Sequence, residues 1–273
     1  MTAATWLPPL VKAGSTALLV VSASVVAEAL GPFWGALVAT LPVSTGPAYV
    51  FLAMRHGADF IAASALSSLA ANAAIGLFLM TYAASARGAS PWRSLGAAVS
   101  VWLLASLATW QVAWTPLTAV LLNLVTYGAG FALVGVTPDA GAGPASPARR
   151  RPLELPLRGV AVAAFVSLVV AASSALGPEA TGIAAVFPVV LTCLFAIVQP
   201  RIGGPAAALL AANALRPMLG FGAMLLVLHL AVRPWGVAAA LVVALPVSVS
   251  WSAALLLLRR GRGRDSLPPA ADA

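Results

Sequence analysis

An apolar segment near the N-terminus, ATLPVSTGPAYVF, carries its own helix breakers. Two prolines bracket three small or hydroxyl-bearing residues in it: Pro42 and Pro47 enclose Ser44, Thr45 and Gly46. Proline removes a backbone N–H and glycine tolerates non-helical dihedral angles, so this pattern predicts an interrupted helix. The free amides at the start of such a half-helix, next to hydroxyl groups, are suited to binding an anion.

A second apolar segment repeats this pattern in the other half of the chain. Pro188, followed by Thr192 and the single cysteine Cys193, interrupts the apolar run at 180–199. Paired interruptions at corresponding places in two membrane spans point to the binding site of a transporter. The alternative is structural, because proline and glycine are frequent in membrane helices and hydroxyl groups can bond the freed carbonyls.

One arginine, Arg216, lies in the middle of an apolar run, LLAANALRPMLGF. An arginine at the centre of a bilayer costs about 2.5–3.5 kcal/mol on insertion scales, so it should face the protein interior. No acidic residue lies in the middle of a predicted span. Arg216 therefore either bonds the carbonyls of a broken helix or holds a carboxylate or phosphate of a ligand. Asn213 lies three residues before it, on the same helix face. The predicted substrate-binding set is Ser44, Thr45, Gly46, Thr192, Asn213 and Arg216.

Composition decides the class of protein. Hydrophobic residues make up 61% of the 273 residues and charged residues only 8%, against roughly 25% charged residues in soluble domains. So few charges cannot cover a surface that faces water, and the chain is predicted to be an integral membrane protein with the lipid bilayer as its surroundings. The net charge of +8 does not indicate nucleic acid, because the basic residues lie in short loops and tails.

Apolar runs of roughly 20 residues, bounded by charge, proline or glycine, predict an all-α polytopic bundle of about nine transmembrane helices. The runs are 10–30, 33–54, 58–84, 93–111, 114–136, 158–176, 180–199, 205–230 and 235–258. The organisation expected is a first membrane repeat plus one linking helix over 1–136 and a second repeat over 158–258. Between them, 137–157 is predicted to be a flexible basic linker, and 259–273 a disordered tail.

The two halves of the chain resemble each other. At a constant shift of 146 positions, EALGPFWGALVATLPV (28–43) aligns with SALGPEATGIAAVFPV (174–189), with LGP and a later proline in common. Each copy holds four spans, and the span at 114–136 is left between them. One extra helix places the second copy in the opposite orientation, so the sequence predicts an inverted-topology repeat.

Each half also resembles the small GlpM-like membrane proteins. The outline is a Lys-Ala start, an apolar helix, a second helix with a Pro-containing core and an arginine after it. VKAGSTALLVV, GALVATLPVSTGPAY and RHGADF fit this outline in the first half, and GIAAVFPVVLT and QPRIGG in the second. The resemblance implies a membrane-embedded helical architecture, here duplicated, and implies no particular activity.

The scarcity of reactive groups favours transport over catalysis. No Asp, Glu or His lies in the middle of a predicted span, and no Gly-x-Ser-x-Gly or zinc-binding motif occurs. We therefore expect no enzyme activity, no catalytic residue, no metal and no cofactor. The favoured function is a secondary transporter or permease of a small anionic solute. The alternative is a non-transporting membrane subunit or scaffold, and the sequence leaves the oligomeric state, coupling ion and substrate open.

The basic residues predict the orientation. With about nine spans and the C-terminus in the cytoplasm, most arginines fall in cytoplasmic loops, as the positive-inside rule requires. These are Arg87, Arg93, Arg149, Arg150, Arg151, Arg158, Arg201, Arg259, Arg260, Arg262 and Arg264. Only Lys12, Arg55 and Arg233 fall outside. We expect the bacterial inner (plasma) membrane, with the N-terminus outside and the C-terminus cytoplasmic.

Reporter fusions test this topology. A reporter that is active only in the cytoplasm should be active when fused after residue 140 and after residue 273, because both points lie on the arginine-rich side. A C-terminal reporter that is active only outside the cytoplasm would contradict the orientation.

Overall fold

The computed structural model describes residues 45–134 and 154–264 of the chain. Within these ranges the residues form helices and short connections, and no strand. The helices are α1 Thr45–Ala53, α2 Ala58–Ser85, α3 Pro91–Trp110, α4 Pro116–Val134, α5 Glu154–Ala185, α6 Val189–Ile202 and α7 Gly204–Arg264. Ser44, Pro42 and the predicted span at 10–30 lie outside the described residues. The all-α class is confirmed for the part of the chain that is described.

Within the described ranges, four helical stretches are long and apolar enough to cross a membrane: Ala58–Ser85, Pro116–Val134, Gly159–Ile202 and Gly204–Leu255. The last two contain 44 and 52 residues, about twice the roughly 20 residues that one crossing needs. Each is broken inside by a glycine with positive φ, Gly177 (75°) in α5 and Gly236 (79°) in α7, a conformation that side chains with a Cβ rarely adopt. The count of about nine spans stays a prediction.

Local sequence explains where α3 and α4 begin. Pro91 opens α3 directly after Ser90, and Pro116 opens α4. Proline suits the first helical position because its missing N–H has no partner there in any case. Before α4, the Thr118 amide donates to Thr115 Oγ1 at 3.2 Å and the Thr115 amide donates to Thr118 Oγ1 at 3.0 Å. These two bonds satisfy amides that the helix itself leaves free.

The helix α2 is the centre of the bundle. It packs against α1, α3, α4, α5 and α7, and most of its buried residues are Ala and Ser. Small side chains let neighbouring helices approach closely, which strengthens van der Waals packing where lipid provides no hydrophobic driving force.

The first part of α7 runs antiparallel to α2. At one end of the pair, a Cβ on Gly204 would overlap the Ala86 carbonyl. At the other end, Arg233 Nε donates to Asp59 Oδ1 at 2.9 Å. The helix boundaries also recur at the shift seen in the sequence: α2 begins at Ala58 and α7 begins at Gly204, 146 positions later.

The end of α5 crosses α2 at Gly182. A Cβ there would overlap the backbone of Ser64. Two hydroxyl groups of α2 bond carbonyls of α5 across this contact, Ser64 Oγ to Pro178 O at 2.9 Å and Ser68 Oγ to Gly182 O at 2.6 Å. The two backbones are therefore held together by small residues and side-chain hydrogen bonds.

Replacing Gly182 with alanine should destabilise the fold, because the new methyl group meets backbone that cannot rotate away. We expect a loss of about 1–3 kcal/mol, as for overpacked cores, seen as a lower unfolding temperature and folded yield in detergent. The matched control is Gly128→Ala in α4, where a Cβ meets nothing within 4 Å. Equal unfolding temperatures for the two variants would contradict the close crossing.

Candidate functional site

The predicted interruption near Pro188 is confirmed. The chain leaves the helix after Ala185 and re-enters it at Val189, with Pro188 as the N-cap residue of α6 (φ −78°, ψ 55°). Pro188 has no N–H to donate and its ring crowds the carbonyl one turn back, so an unbroken helix is disfavoured at this point. The residues between the two helices, Val186–Pro188, are called the α5–α6 break below.

The start of α1 meets this break. Thr45 Oγ1 donates a buried hydrogen bond to the Ala185 carbonyl at 3.1 Å. Thr45 is the first residue of α1 that the structure describes, and Ala185 is the last residue of α5. Gly46, the next residue, lies against α7, where a Cβ would stand 3.3 Å from Leu245 Cδ2. Two of the predicted site residues therefore lie where α1, α5 and α7 come together.

All four carbonyls at the end of α5 have partners. Gly182 O accepts from Ser68 Oγ at 2.6 Å, and Ala185 O accepts from Thr45. The two between them, Ile183 O and Ala184 O, accept from the amides of Val186 at 3.3 Å and Phe187 at 3.0 Å. A helix normally leaves its last four carbonyls unbonded. Here the fold satisfies each of them.

A short chain of hydroxyl groups joins α1, α2 and α5 beside the break. Tyr49 OH and Ser68 Oγ are 2.7 Å apart, and both residues are buried. Since the single hydroxyl proton of Ser68 goes to Gly182 O, Tyr49 is the donor to Ser68. This arrangement fixes α1 relative to the crossing at Gly182.

The first turn of α6 differs from the end of α5. The Thr192 amide and Thr192 Oγ1 both donate to Pro188 O, at 2.9 and 2.8 Å. The hydroxyl of Thr192, a predicted site residue, thus bonds its own helix. The amides of Val190 and Leu191 have no hydrogen-bond partner among the described residues.

Aromatic rings surround the break. Trp102 of α3 meets Phe187 edge to face, with ring centroids 5.0 Å apart and planes at 84°. Phe165 of α5 also contacts Phe187, at 5.5 Å. Aromatic pairs favour such edge-to-face and tilted arrangements. Sequence reasoning passed over Trp102, because an isolated tryptophan in an apolar run carries no signal about its partner.

The other two predicted residues lie in the first half of α7. Asn213 Nδ2 donates to Leu209 O of its own helix at 3.0 Å. Arg216 is half-buried, and no described residue hydrogen-bonds its guanidinium. Its backbone carbonyl accepts from Trp251 Nε1 at 3.0 Å, and Trp251 packs against Gly220. The LPVSVSWS stretch at 245–252, to which the sequence assigned no role, thus borders both Gly46 and Arg216.

The asparagines of the apolar runs at 58–84 and 114–136 form interhelical hydrogen bonds. Asn72 of α2 donates through Nδ2 to Asn123 Oδ1 at 2.8 Å and to Met218 O at 3.2 Å. Asn123 Nδ2 donates back to Leu69 O at 2.7 Å, and Tyr127 OH donates to Asn72 O at 2.9 Å. This buried network joins α2, α4 and α7 and stabilises the bundle next to Arg216.

A second polar contact, not foreseen from the sequence, joins α2 to the end of α6. Tyr82 OH donates to Gln199 Oε1 at 2.7 Å, and Gln199 Nε2 donates to the carbonyls of Ala86 at 3.3 Å and Ala89 at 3.0 Å. Tyr82 also stacks on Phe195 with centroids 4.1 Å apart. The C-terminal end of α6 is therefore fixed to the end of α2.

Metal-ligand groups and similarity to known proteins give no further information on this site. Among the described residues, no group of three or more His, Cys, Asp or Glu side chains could hold a metal ion. Comparison with protein-family models, with curated proteins and with solved structures gives no match. The resemblance to GlpM-like proteins stays a prediction, and the function has to be argued from the site.

The C-terminal end of α1 is attached to α5 by two consecutive residues. Arg55 Nη1 donates to Val170 O at 3.0 Å, and His56 Nε2 lies 2.7 Å from Ser173 Oγ. Since Ser173 donates its proton to Val170 O, the histidine carries its hydrogen on Nε2. The His56 ring also stacks on Phe60 at 3.7 Å. Burial, and secondarily the positive charge of Arg55, lowers the pKa of His56 below its usual 6.5.

This lowered pKa predicts acid sensitivity of the fold. Below pH 6.5 the unfolded chain binds a proton at His56 that the folded chain resists, so stability should fall as the pH drops from 6.5 towards the folded-state pKa. Unfolding temperatures measured between pH 7.5 and 5.5 should fall more for the wild type than for His56→Gln, which cannot titrate. Equal falls in the two proteins would show that His56 is not the group responsible.

Proposed function

We propose that this protein is a secondary transporter or permease of a small anionic solute, with its site where the interrupted helices meet. The observation that carries the proposal is the buried hydrogen bond from Thr45, at the start of α1, to Ala185, at the α5–α6 break. Irregular backbone at membrane depth is tolerated only where protein or a water-filled cavity surrounds it. Transporters use such meeting points of discontinuous helices as their substrate sites.

The proposal includes an inverted repeat. Support comes from the shift of 146 positions. It relates α2 to the first part of α7, and it relates Ser90, which precedes α3, to the break at Gly236. The related segments α2 and the first part of α7 lie antiparallel, as the contacts at their two ends require. Oppositely directed copies are the arrangement in which one repeat can rock against the other around a central site.

The charge of Arg216 favours an anion. Arg216 is a half-buried cation with no acceptor on its guanidinium among the described residues. Asp59 and Glu179 have described side chains and lie at helix starts, and Asp59 pairs with Arg233. Proton-coupled transporters commonly use a carboxylate in the middle of a helix. Neither Asp59 nor Glu179 is at such a position. The proposal therefore assigns no acid–base chemistry, catalytic residue or cofactor.

The ends of the helices are consistent with the proposed orientation. Gln199 bonds the carbonyls around Arg87, so the ends of α2 and α6 that carry Arg87 and Arg201 lie together. The opposite end carries Arg55 and the Asp59–Arg233 pair. We propose that the first end faces the cytoplasm, in the bacterial inner membrane with the N-terminus outside.

A non-transporting membrane subunit is the second candidate. It is favoured by the bonds of Thr192 and Asn213, whose polar groups are occupied within their own helices. In that case Arg216 would be structural, and its removal would leave backbone or lipid contacts unsatisfied.

Variants of Arg216 separate the two functions. Purified protein in liposomes is tested for uptake of labelled lactate, succinate, phosphate and sulfate. We expect uptake of at least one of them, reduced at least tenfold in Arg216→Met, because the cation that meets the solute is lost. Arg216→Lys should also lower uptake, since lysine keeps the charge but not the bidentate geometry.

The control is Arg93→Met, at an exposed position near the start of α3, which should transport normally. All three variants should give a folded, monodisperse peak in detergent. Loss of that peak in Arg216→Met alone, or no uptake of any of the four anions by the wild type, would overturn the transporter in favour of the subunit.

A further inference from the structure

Five buried side chains in the described part of the chain have a polar atom without a hydrogen-bond partner: Ser94, Trp102 and Ser106 in α3, and Ser248 and Ser252 in α7. None is more than 5% exposed. Unpaired buried polar groups are rare in native proteins, and each calls for an explanation such as a ligand. In a membrane they are costlier still, since lipid offers no partner.

These residues occupy related positions. Trp102 and Ser106 lie 146 positions before Ser248 and Ser252, the same shift that relates the two halves of the chain. In α3 the three unpaired groups also share one helix face, because they are separated by multiples of four residues. The same positions in both halves thus leave polar atoms unpaired, which a chance packing defect does not explain.

One of the unpaired groups of α3, Trp102, lies at the α5–α6 break. The ring of Trp102 contacts Phe187, the residue before the N-cap Pro188, and α3 packs against both α5 and α6. Ser106 lies one turn beyond Trp102 on the same buried face. The segment that corresponds to the break in the first half, 40–42, lies outside the described residues.

Hydrogen-bonding groups at the break are unbalanced in favour of donors. The last four carbonyls of α5 are all bonded, as described above, while the amides of Val190 and Leu191 have no partner among the described residues. The indole Nε1 of Trp102 can only donate, and the Ser106 hydroxyl can donate. At the break itself the Val186 carbonyl also has no partner among the described residues, so the unpaired donors outnumber the unpaired carbonyls. Such a site is complementary to a ligand that accepts several hydrogen bonds.

We propose that Trp102 Nε1, Ser106 Oγ and the free amides of Val190 and Leu191 bind an oxyanion group of the solute at the α5–α6 break. This inference rests on the proposed transport function and specifies its substrate class: a carboxylate, phosphate or sulfate group recognised by neutral donors. The N-terminus of α6 contributes the positive end of its dipole to the same group. Arg216, in α7, is a separate contact.

The test is anion binding by purified full-length protein, measured by calorimetry and by the shift in unfolding temperature. The probes are lactate, phosphate and sulfate, which distinguish the three oxyanion classes, with chloride as a halide control. Wild-type protein should bind at least one oxyanion and discriminate against chloride. Trp102→Phe, which keeps the ring against Phe187, and Ser106→Ala should each weaken that binding roughly ten- to hundredfold, the range for a lost hydrogen bond to a charged group.

The unfolding temperature without anion separates binding from a structural role. Because the Trp102 and Ser106 polar atoms are unpaired, the proposal expects their removal to leave this temperature unchanged or to raise it. A structural role predicts that their removal lowers it. Ser94→Ala is the matched control, since Ser94 is also buried and unpaired in α3 but lies about 12 Å along the helix from Trp102. It should leave anion affinity unchanged.

The outcomes separate the two proposals. If Trp102→Phe and Ser106→Ala both bind the anion with wild-type affinity and anion uptake is intact, this site is wrong and the proposed transport function is unaffected. Absence of both binding and uptake in the wild type overturns the proposed function as well. If Trp102→Phe does not fold, Ser106→Ala decides alone.

Discussion

A backbone carbonyl or amide that faces hydrocarbon has no water to bond, and leaving it unpaired costs several kcal/mol. A protein that breaks its helices inside a membrane must therefore provide a partner for each freed group. The α5–α6 break illustrates how this is met. Hydroxyl groups of Thr45 and Ser68, from α1 and α2, bond two carbonyls, and the turn itself bonds the two between them. Much of the surrounding packing depends on this requirement.

The same requirement explains the composition of α2. To deliver a hydroxyl group to a carbonyl of another helix, the two backbones have to approach closely, and only small residues permit that. Ser64 and Ser68 of α2 meet α5 at Gly182, where any side chain would collide with backbone. The Asn72 network then ties the other face of α2 to α4 and α7. A central helix made of Ala, Ser and Asn is thus a consequence of bonding several neighbours at once.

The proposed function follows from the hydrogen-bonding groups that have no partner among the described residues. The last four carbonyls of α5 are bonded, whereas most of the groups without a partner among the described residues, at the start of α6 and on the buried face of α3, are donors. An excess of hydrogen-bond donors favours a ligand that accepts hydrogen bonds, such as an anion. An excess of carbonyls would favour a cation. The half-buried guanidinium of Arg216 points to the same sign of charge. The solute is therefore proposed from the balance of hydrogen bonds rather than from any motif.

The sequence by itself determined the all-α class and the interruption at Pro188. These follow from local or compositional physics: apolar runs of sufficient length and a residue without an N–H. The sequence also showed the spacing of 146 positions, at which two helix starts, Ala58 and Gly204, recur. Tertiary structure alone decided that Thr45 bonds Ala185, that Thr192 and Asn213 bond their own helices, and that Trp102 lies at the break. A hydroxyl or indole can bond any acceptor within reach, and which acceptor is within reach is set by helix packing, about which a single sequence carries no direct signal.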